Sequence, residues 1–109
     1  MRIDFSSIPE EAVQNFCGGN KTLFKRAWSD GKAKIMYDRL PAGASIGMHT
    51  HETNSETMYL LSGVARYTID GVQETVRAGE AHYCPKGGTH CMENIGDDEI
   101  VFFAVVAEQ

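Results

Sequence analysis

The feature that most constrains the fold of this chain is a regular series of short β-rich runs separated by turn residues. From Thr22 onward, runs such as TLFKRAW, AKIMYDRL and ARYTI alternate with turns, and two of the turns contain Asp30-Gly31 and Asp70-Gly71. Asp-Gly between such runs predicts a β-hairpin, because a type I′ turn requires positive φ at both central residues. Many short strands at regular spacing predict an all-β sandwich or small barrel.

The segment before these strands carries the one helix signal in the chain. In SSIPEEAVQNFCGG, Ser7 and Glu10 have the spacing of a capping box, and Pro9 falls in the first turn. We therefore predict a short helix that packs against the following strands, since about ten residues do not form a stable helix alone in water. The resulting organisation is an N-terminal arm, residues 1–20, followed by one barrel domain, residues 21–109.

The last strand is expected to be covered on both faces. The run IVFFAVVA, from Ile100 to Ala107, is apolar at every position, which is typical of a strand buried on both sides. It is much shorter than the ~20 apolar residues of a membrane-spanning helix. We expect the N-terminal helix or a second copy of the chain to lie over this strand, which favours a homodimer and no membrane association.

Charge and cysteine content restrict the expected partners and location. The net charge of -5 at pH 7 argues against binding to nucleic acid or anionic lipid, which depends on Lys and Arg. Three cysteines without CxxC spacing, and an N-terminus without an apolar signal-peptide core, predict a cytoplasmic protein. We interpret the basic residues that cluster in the first third of the chain as parts of solvated strand faces. They are Lys21, Lys25, Arg26, Lys32 and Lys34.

The stretch GMHTHETNSE, residues 47–56, holds the first candidate metal ligands. Side chains alternate faces along a strand, so His49 and His51 point to the same side, about 6.5 to 7 Å apart. Glu56 begins the next strand, from which its carboxylate can approach the same point. A fourth donor is best supplied by His90, because the turn CPKGG before it can return a strand toward the interior. Three imidazoles and one carboxylate suit a divalent transition metal, and neither calcium nor a closed thiolate zinc site.

His82 and Met58 are further candidates for a role near the metal. The strand EAHYC does not reveal which way His82 points, so it is either a surface or structural histidine, or a group behind the ligands or in contact with the substrate. Met58 shares the face of Glu56 by alternation, and we interpret it as pocket wall rather than ligand. The three cysteines are interpreted as small hydrophobic residues. They are Cys17, Cys84 and Cys91.

The candidate ligands stand in a pattern that resembles the two signature motifs of the cupin superfamily. The match spans residues 43–94, about half the chain, and ten defined positions agree at fixed spacing. The first motif is Gly43, His49, His51, Glu56 and Gly63, and the second is Gly79, Pro85, Gly87, His90 and Asn94. The resemblance implies a jelly-roll β-barrel, a homodimer, and one metal ion in the barrel mouth. The ligands it implies are His49, His51, Glu56 and His90.

The expected cofactor is one divalent transition metal: Mn, Fe, Ni, Zn, Co or Cu. With three neutral imidazoles and one carboxylate, the site carries a net charge near +1, which attracts a chelating oxyanion or enediolate. Such an ion can act as a Lewis acid for isomerisation, epimerisation or decarboxylation, or bind dioxygen if it is redox-active.

We favour a metal-dependent enzyme, an isomerase or epimerase, a lyase or a dioxygenase. Its substrate would be a small polar metabolite such as a sugar derivative or an oxygenated acid. The alternative is a non-catalytic cupin that binds or senses a small ligand. A storage or structural barrel ranks last, because all four ligand positions are present.

Overall fold

Ten antiparallel strands in two sheets make up the computed structural model, which describes residues 1–109. The strands follow the β-rich runs closely, because turn residues interrupt the chain between them. Their bounds are β1 Glu11–Gln14, β2 Thr22–Ser29, β3 Ala33–Leu40, β4 Ser45–Thr50, β5 Asn54–Ser62, β6 Val64–Ile69, β7 Val72–Arg77, β8 Ala81–Cys84, β9 Thr89–Asn94 and β10 Ile100–Glu108.

The two sheets face each other and enclose one hydrophobic core. One sheet has the strand order β1-β2-β3-β10-β5-β8, and the other has the order β4-β9-β6-β7. The predicted all-β jelly-roll β-barrel is therefore confirmed. Both sheets contribute side chains that are less than 2% exposed, among them Leu40, Leu60, Tyr67, Met92 and Phe102.

Both hairpins predicted from Asp-Gly are present, but only one has the predicted turn. Asp70 and Gly71 both have positive φ, 46° and 83°, as a type I′ turn requires. At the other hairpin only Gly31 has positive φ. There the Asp30 carboxylate accepts hydrogen bonds from the backbone N–H groups of the two residues after Gly31, both at 2.9 Å. The aspartate side chain stabilises this longer turn.

The prediction of an N-terminal helix is wrong. The segment contains two 3₁₀ turns, Phe5–Ser7 and Phe16–Gly18, on either side of β1, which pairs with β2. Glu10 does not close a capping box, because its carboxylate accepts two 2.8 Å hydrogen bonds from the Arg39 guanidinium. The first turn is capped instead by Asp4. No helical element of the chain is long and apolar enough to span a membrane.

A close backbone contact joins the N-terminal arm to the strand that carries the first candidate ligand. A Cβ atom on Gly47, in β4, would collide with the carbonyl oxygen of Cys17, and one on Gly19 would collide with that of Ser45. Both positions therefore require glycine. The arm packs directly on β4, two residues before His49. Cys17 itself is exposed, so it is not the small hydrophobic residue of the core that its interpretation implies.

The outer face of the six-stranded sheet is rich in aromatic residues. Tyr37, Phe103 and Tyr59 are register partners on β3, β10 and β5. The ring of Phe5 lies 6.1 Å from that of Phe103 and 5.9 Å from that of Tyr37, so the arm covers part of β10 without forming a helix. Tyr37, Tyr59 and Tyr83 nevertheless remain 40%, 42% and 54% exposed. This aromatic face is therefore only partly covered by the rest of the chain.

Candidate metal centre

The four residues predicted as metal ligands meet at one place in the barrel. His49 on β4 and His90 on the adjacent β9 are direct register partners. His51 follows the end of β4, and Glu56 reaches inward from β5 of the other sheet. One donor atom from each residue lies within 4.8 Å of all the others. The jelly roll thus brings the two motifs together across the space between its sheets.

The donor atoms have the mutual spacing of ligands around one ion. The Nε2 atom of His90 lies 3.0 Å from that of His51 and 3.1 Å from that of His49. The Oε1 atom of Glu56 lies 3.1 Å from Nε2 of His51 and 3.3 Å from Nε2 of His90. Two donors that bind one ion at about 2.1 Å and at right angles stand about 3 Å apart, so the spacing fits.

Hydrogen bonds on the far side of two rings fix which nitrogen carries the proton. His49 donates from Nδ1 to the carbonyl oxygen of Gly47 at 2.7 Å. His51 donates from Nδ1 to Oδ1 of Asn54 at 2.6 Å, and the amide of Asn54 is oriented by donating to Glu108 at 2.7 Å. Because each Nδ1 is the donor, each Nε2 presents its lone pair toward the donor cluster.

The third ring is fixed by His82, which is fully buried. Nδ1 of His82 donates to Oε1 of Glu74 at 2.6 Å, and Nε2 of His82 accepts from Nδ1 of His90 at 2.9 Å. The ring of Tyr67 stacks on His82 with centroids 3.7 Å apart. His82 is therefore no surface residue. It lies directly behind His90 and leaves the Nε2 lone pair of His90 free for a ligand bond.

The converging atoms are three imidazole nitrogens and one carboxylate oxygen, which is a set of ligands that suits a divalent transition metal. Burial alone would raise the pKa of Glu56, but its contacts with His51 and His90 outweigh this effect and lower the pKa to about 2. Burial lowers the pKa of His49, and contact with Glu56 raises that of His51. An ionised carboxylate beside a neutral His49 is the state that a divalent transition metal needs.

A cavity of about 190 Å³ opens beside the four donors. Part of its wall is apolar, and Met58 contributes to it as predicted. Met58 is buried and is the register partner of His82 on β8. The remaining apolar wall comes mainly from Phe16, Leu23, Met36, Ile46, Met92, Phe102 and Val106. The cavity thus has an apolar wall with the four donors at one side.

The same cavity is lined by Lys25, Lys34 and Asp38, which we call the lysine wall. Lys25 is half-buried, so interpreting it as part of a fully solvated face is wrong, whereas Lys34 is exposed as that interpretation expects. Lys34 and Asp38 each stand two residues from Met36, which is buried, and alternation along β3 would have placed them on the inner face. That signal was present in the sequence, but lysine side chains are usually solvated.

Comparison with known proteins identifies the family of this chain and several proteins with similar sequences. The sequence profile of the cupin domain matches residues 36–106. An oxalate-binding protein of Thermotoga maritima is 30% identical over 112 residues, which cover 97% of this chain and 93% of that protein. The oxalate decarboxylase OxdC of Bacillus subtilis is 38% identical over 68 residues, but these are only 18% of its length.

Solved structures give the same result. A protein of Thermotoga maritima described as a predicted oxalate decarboxylase superposes with a TM-score of 0.93 at 28% identity, over the full length of both chains. The cupin domain of Schizosaccharomyces pombe Cnp3 superposes with a TM-score of 0.81 at 15% identity, covering this chain fully and 74% of that one. At 15% identity, the second likeness concerns the fold alone.

Proposed function

This chain belongs to the cupin family, and we propose that it is a metal-dependent cupin that acts on a small oxygenated acid. One divalent transition-metal ion would be held by the four-donor cluster, His49, His51, Glu56 and His90. The observation that carries this proposal is the convergence of three imidazole nitrogens and one carboxylate oxygen within 4.8 Å of one another. Such a cluster is costly to bury without a cation.

The chain's own residues would prepare the site for an acid. The bound ion would supply Lewis acidity, or redox chemistry if it is iron, manganese or copper. Glu74 and His82 would hold the ring of His90 in place, and the apolar wall around Met58 would keep bulk water away from the bound acid. In a pocket of low polarity, the attraction between an anionic ligand and a cationic site is stronger than in water.

Relatives support an oxygenated acid over a sugar derivative. The Thermotoga maritima protein that matches 97% of this chain is named an oxalate-binding protein, and the Thermotoga maritima structure that superposes over the full length is described as a predicted oxalate decarboxylase. We therefore favour a dicarboxylate such as oxalate and, among reactions, a lyase that removes a carboxyl group. The second candidate is binding without turnover, which the name of the oxalate-binding relative favours.

Elemental analysis of protein purified without added metal is the direct test of the metal. We expect about one transition-metal ion per chain, and its identity separates redox-active from purely Lewis-acidic chemistry. Calorimetry should then show oxalate binding to the metal-loaded protein and much weaker binding after chelation. Carbon dioxide release with oxygen consumption monitored separates turnover from binding alone. Absence of metal and of oxalate binding would overturn the proposal.

We also propose a homodimer formed through the aromatic face of the six-stranded sheet. Tyr37, Phe103 and Tyr59 make a continuous aromatic row across three strands, and much of it is exposed. A second copy of the face is the occupant that would bury it symmetrically. We place the protein in the cytoplasm, because its cysteines are all free.

Light scattering tests the dimer. The wild-type chain should have about twice the monomer mass of 12.0 kDa, and Tyr59→Glu should shift it toward the monomer, because a carboxylate would be buried in the interface. Val72→Glu is the matched control, since Val72 is 65% exposed on β7 of the other sheet. A wild-type mass of about 12 kDa at all concentrations would count against the dimer.

A further inference from the structure

The lysine wall is a second polar group in the cavity, separate in the fold from the four-donor cluster. Lys25 lies on β2 and is the register partner of Asp38 on β3. Lys34 lies further along β3. The imidazole donors come from β4, its end and β9, and only Glu56 shares a sheet with the lysine wall. Two strands and their connections thus supply charge to the cavity without taking part in the donor cluster.

Neither lysine has a partner of opposite charge within the chain. No ion pair involves Lys25 or Lys34, although both lie close enough to Asp38 to lower its pKa. Nζ of Lys25 instead lies 4.8 Å above the centre of the Phe16 ring. Lys25 is half-buried and Lys34 is exposed, and both line the cavity without a counter-ion from the protein. Their positive charge favours an anion beside them.

Asp38 cancels little of this positive charge in mildly acidic solution. It is only 3% exposed, and its one hydrogen bond comes from the backbone N–H of Arg26, at 3.2 Å. Burial raises the pKa of Asp38 to about 7, in spite of the opposing effects of that bond and of Lys25. The carboxyl group is therefore largely protonated in mildly acidic solution, and the lysine wall keeps a net positive charge.

The distance between the two polar groups defines the length of a ligand that could bridge them. Lys34 is the register partner of Val106, and Val106 is the register partner of Glu56. All three side chains line the cavity. Adjacent strands lie about 4.8 Å apart, so the Cα atoms of Lys34 and Glu56 stand about 10 Å apart across β10. The apolar side chain of Val106 lies between them.

We propose that Lys25 and Lys34 form an anion subsite that binds the second carboxylate of a dicarboxylic acid whose first end chelates the metal. This inference rests on the proposed function and extends its substrate class from oxalate to longer acids with a short carbon chain between two acidic ends. The metal end sets the orientation, the apolar wall contacts the carbon chain, and the two ammonium groups hold the far carboxylate through charge-assisted hydrogen bonds.

Two acids that differ only at the far end test the subsite. 2-Hydroxypentanedioate and 2-hydroxypentanoate share the same chelating end and chain length, but the first ends in a carboxylate and the second in a methyl group. We expect the metal-loaded protein to bind the diacid about ten-fold more tightly in calorimetry at pH 6, since hydrogen bonds to charged groups are worth that much or more. The variant with both Lys25→Met and Lys34→Met should lose this preference.

Matched controls separate the subsite from the metal site. Lys32→Met removes an exposed lysine that lies outside the cavity, and it should keep the wild-type preference. The double variant should keep wild-type metal content and oxalate affinity, since oxalate uses the chelating end alone. Equal affinity of the wild type for both acids would overturn the anion subsite, and so would a double variant that keeps the preference.

Measurements on metal-free protein separate failure of this inference from failure of the proposed function. Both acids should bind more weakly there, but the lysines should still favour 2-hydroxypentanedioate. A protein that binds no metal and still shows this preference would overturn the proposed metal-dependent function and leave the subsite standing. A protein that binds metal and oxalate without the preference would overturn the subsite alone.

Discussion

The two polar groups of the cavity differ in how the sequence encodes them. Two short sequence motifs contain the four-donor cluster, and in the first of them His49 and His51 are two residues apart and Glu56 follows five residues later. The lysine wall has no motif, and Lys25 and Asp38 become neighbours only when β2 pairs with β3. Donors that must converge on one atom therefore leave a short-range spacing that can be recognised in the sequence. Residues that contact an extended ligand are dispersed along the chain and leave no such spacing.

The largest expected effect concerns the donor cluster itself. Replacing both His49 and His51 by Ala removes two of three imidazoles, and we expect stoichiometric metal to be lost while the barrel stays folded. Elemental analysis and far-ultraviolet circular dichroism measure the two outcomes. Full metal content in this variant would show that the ion is bound elsewhere. The two motifs would then not encode a metal site, and the donor cluster would no longer differ from the lysine wall in this respect.

A smaller effect is expected behind the cluster, where Glu74 and His82 orient His90. We expect Glu74→Gln to lower metal affinity about 10-fold and His82→Ala about 100-fold, which is the usual range for groups that hold a ligand through a hydrogen bond. Competition with a chelator measures both. Glu93→Gln is the control, because Glu93 is exposed on β9 and contacts none of these groups. Unchanged affinity in His82→Ala would mean that packing alone orients His90.

The third expected effect concerns the free energy of unfolding rather than metal affinity, and it belongs to Asp38 in the lysine wall. Its pKa is raised from 3.8 to about 7 in the folded protein, so the folded state binds its proton more tightly than the unfolded state. The stabilisation is fully present below pH 4 and is lost as the pH rises to about 7, at a slope of at most about 1.4 kcal/mol per pH unit. The groups that face Asp38 are Lys25, Lys34 and, from β5, Glu56.

Asp38→Asn keeps an oxygen that can accept from the Arg26 N–H but removes the titration. The variant should gain stability relative to the wild type between pH 5 and pH 8, as measured by urea unfolding at both values. Glu56 does not interfere with this comparison, because its pKa is lowered to about 2 and its own stabilisation is lost only below about pH 4.5. A constant difference between variant and wild type would mean that Asp38 is already ionised at pH 5.

Much of the fold could be predicted because turns and strands are local signals. Asp70-Gly71 has the predicted positive φ values, and the apolar run of β10 lies in the middle of the larger sheet. The N-terminal segment failed for a physical reason. Its capping-box glutamate, Glu10, accepts hydrogen bonds from a guanidinium on β3 that lies 29 residues away in sequence, and β1 pairs with β2 along its four residues.

The candidate site was predictable to the same extent. The four donors are specified by spacing, but the direction in which His82 points depends on the pairing of β8 with β5, which no pattern in EAHYC shows. The exposure of the aromatic residues on the outer face also has no local signal in the sequence, because aromatic side chains are common in strands for packing alone. The orientation of His82 and the aromatic outer face could not be predicted, because both depend on the register between strands that are distant in sequence.

The backbone contact between Gly19 and Gly47 has a practical consequence for anyone who shortens or tags this chain. Residues before Thr22 look like a dispensable leader, yet they press on the strand whose carbonyl group at Gly47 orients His49. They also supply Phe16 to the cavity entrance. Removing these residues would thus disturb the orientation of His49 and with it the candidate metal site.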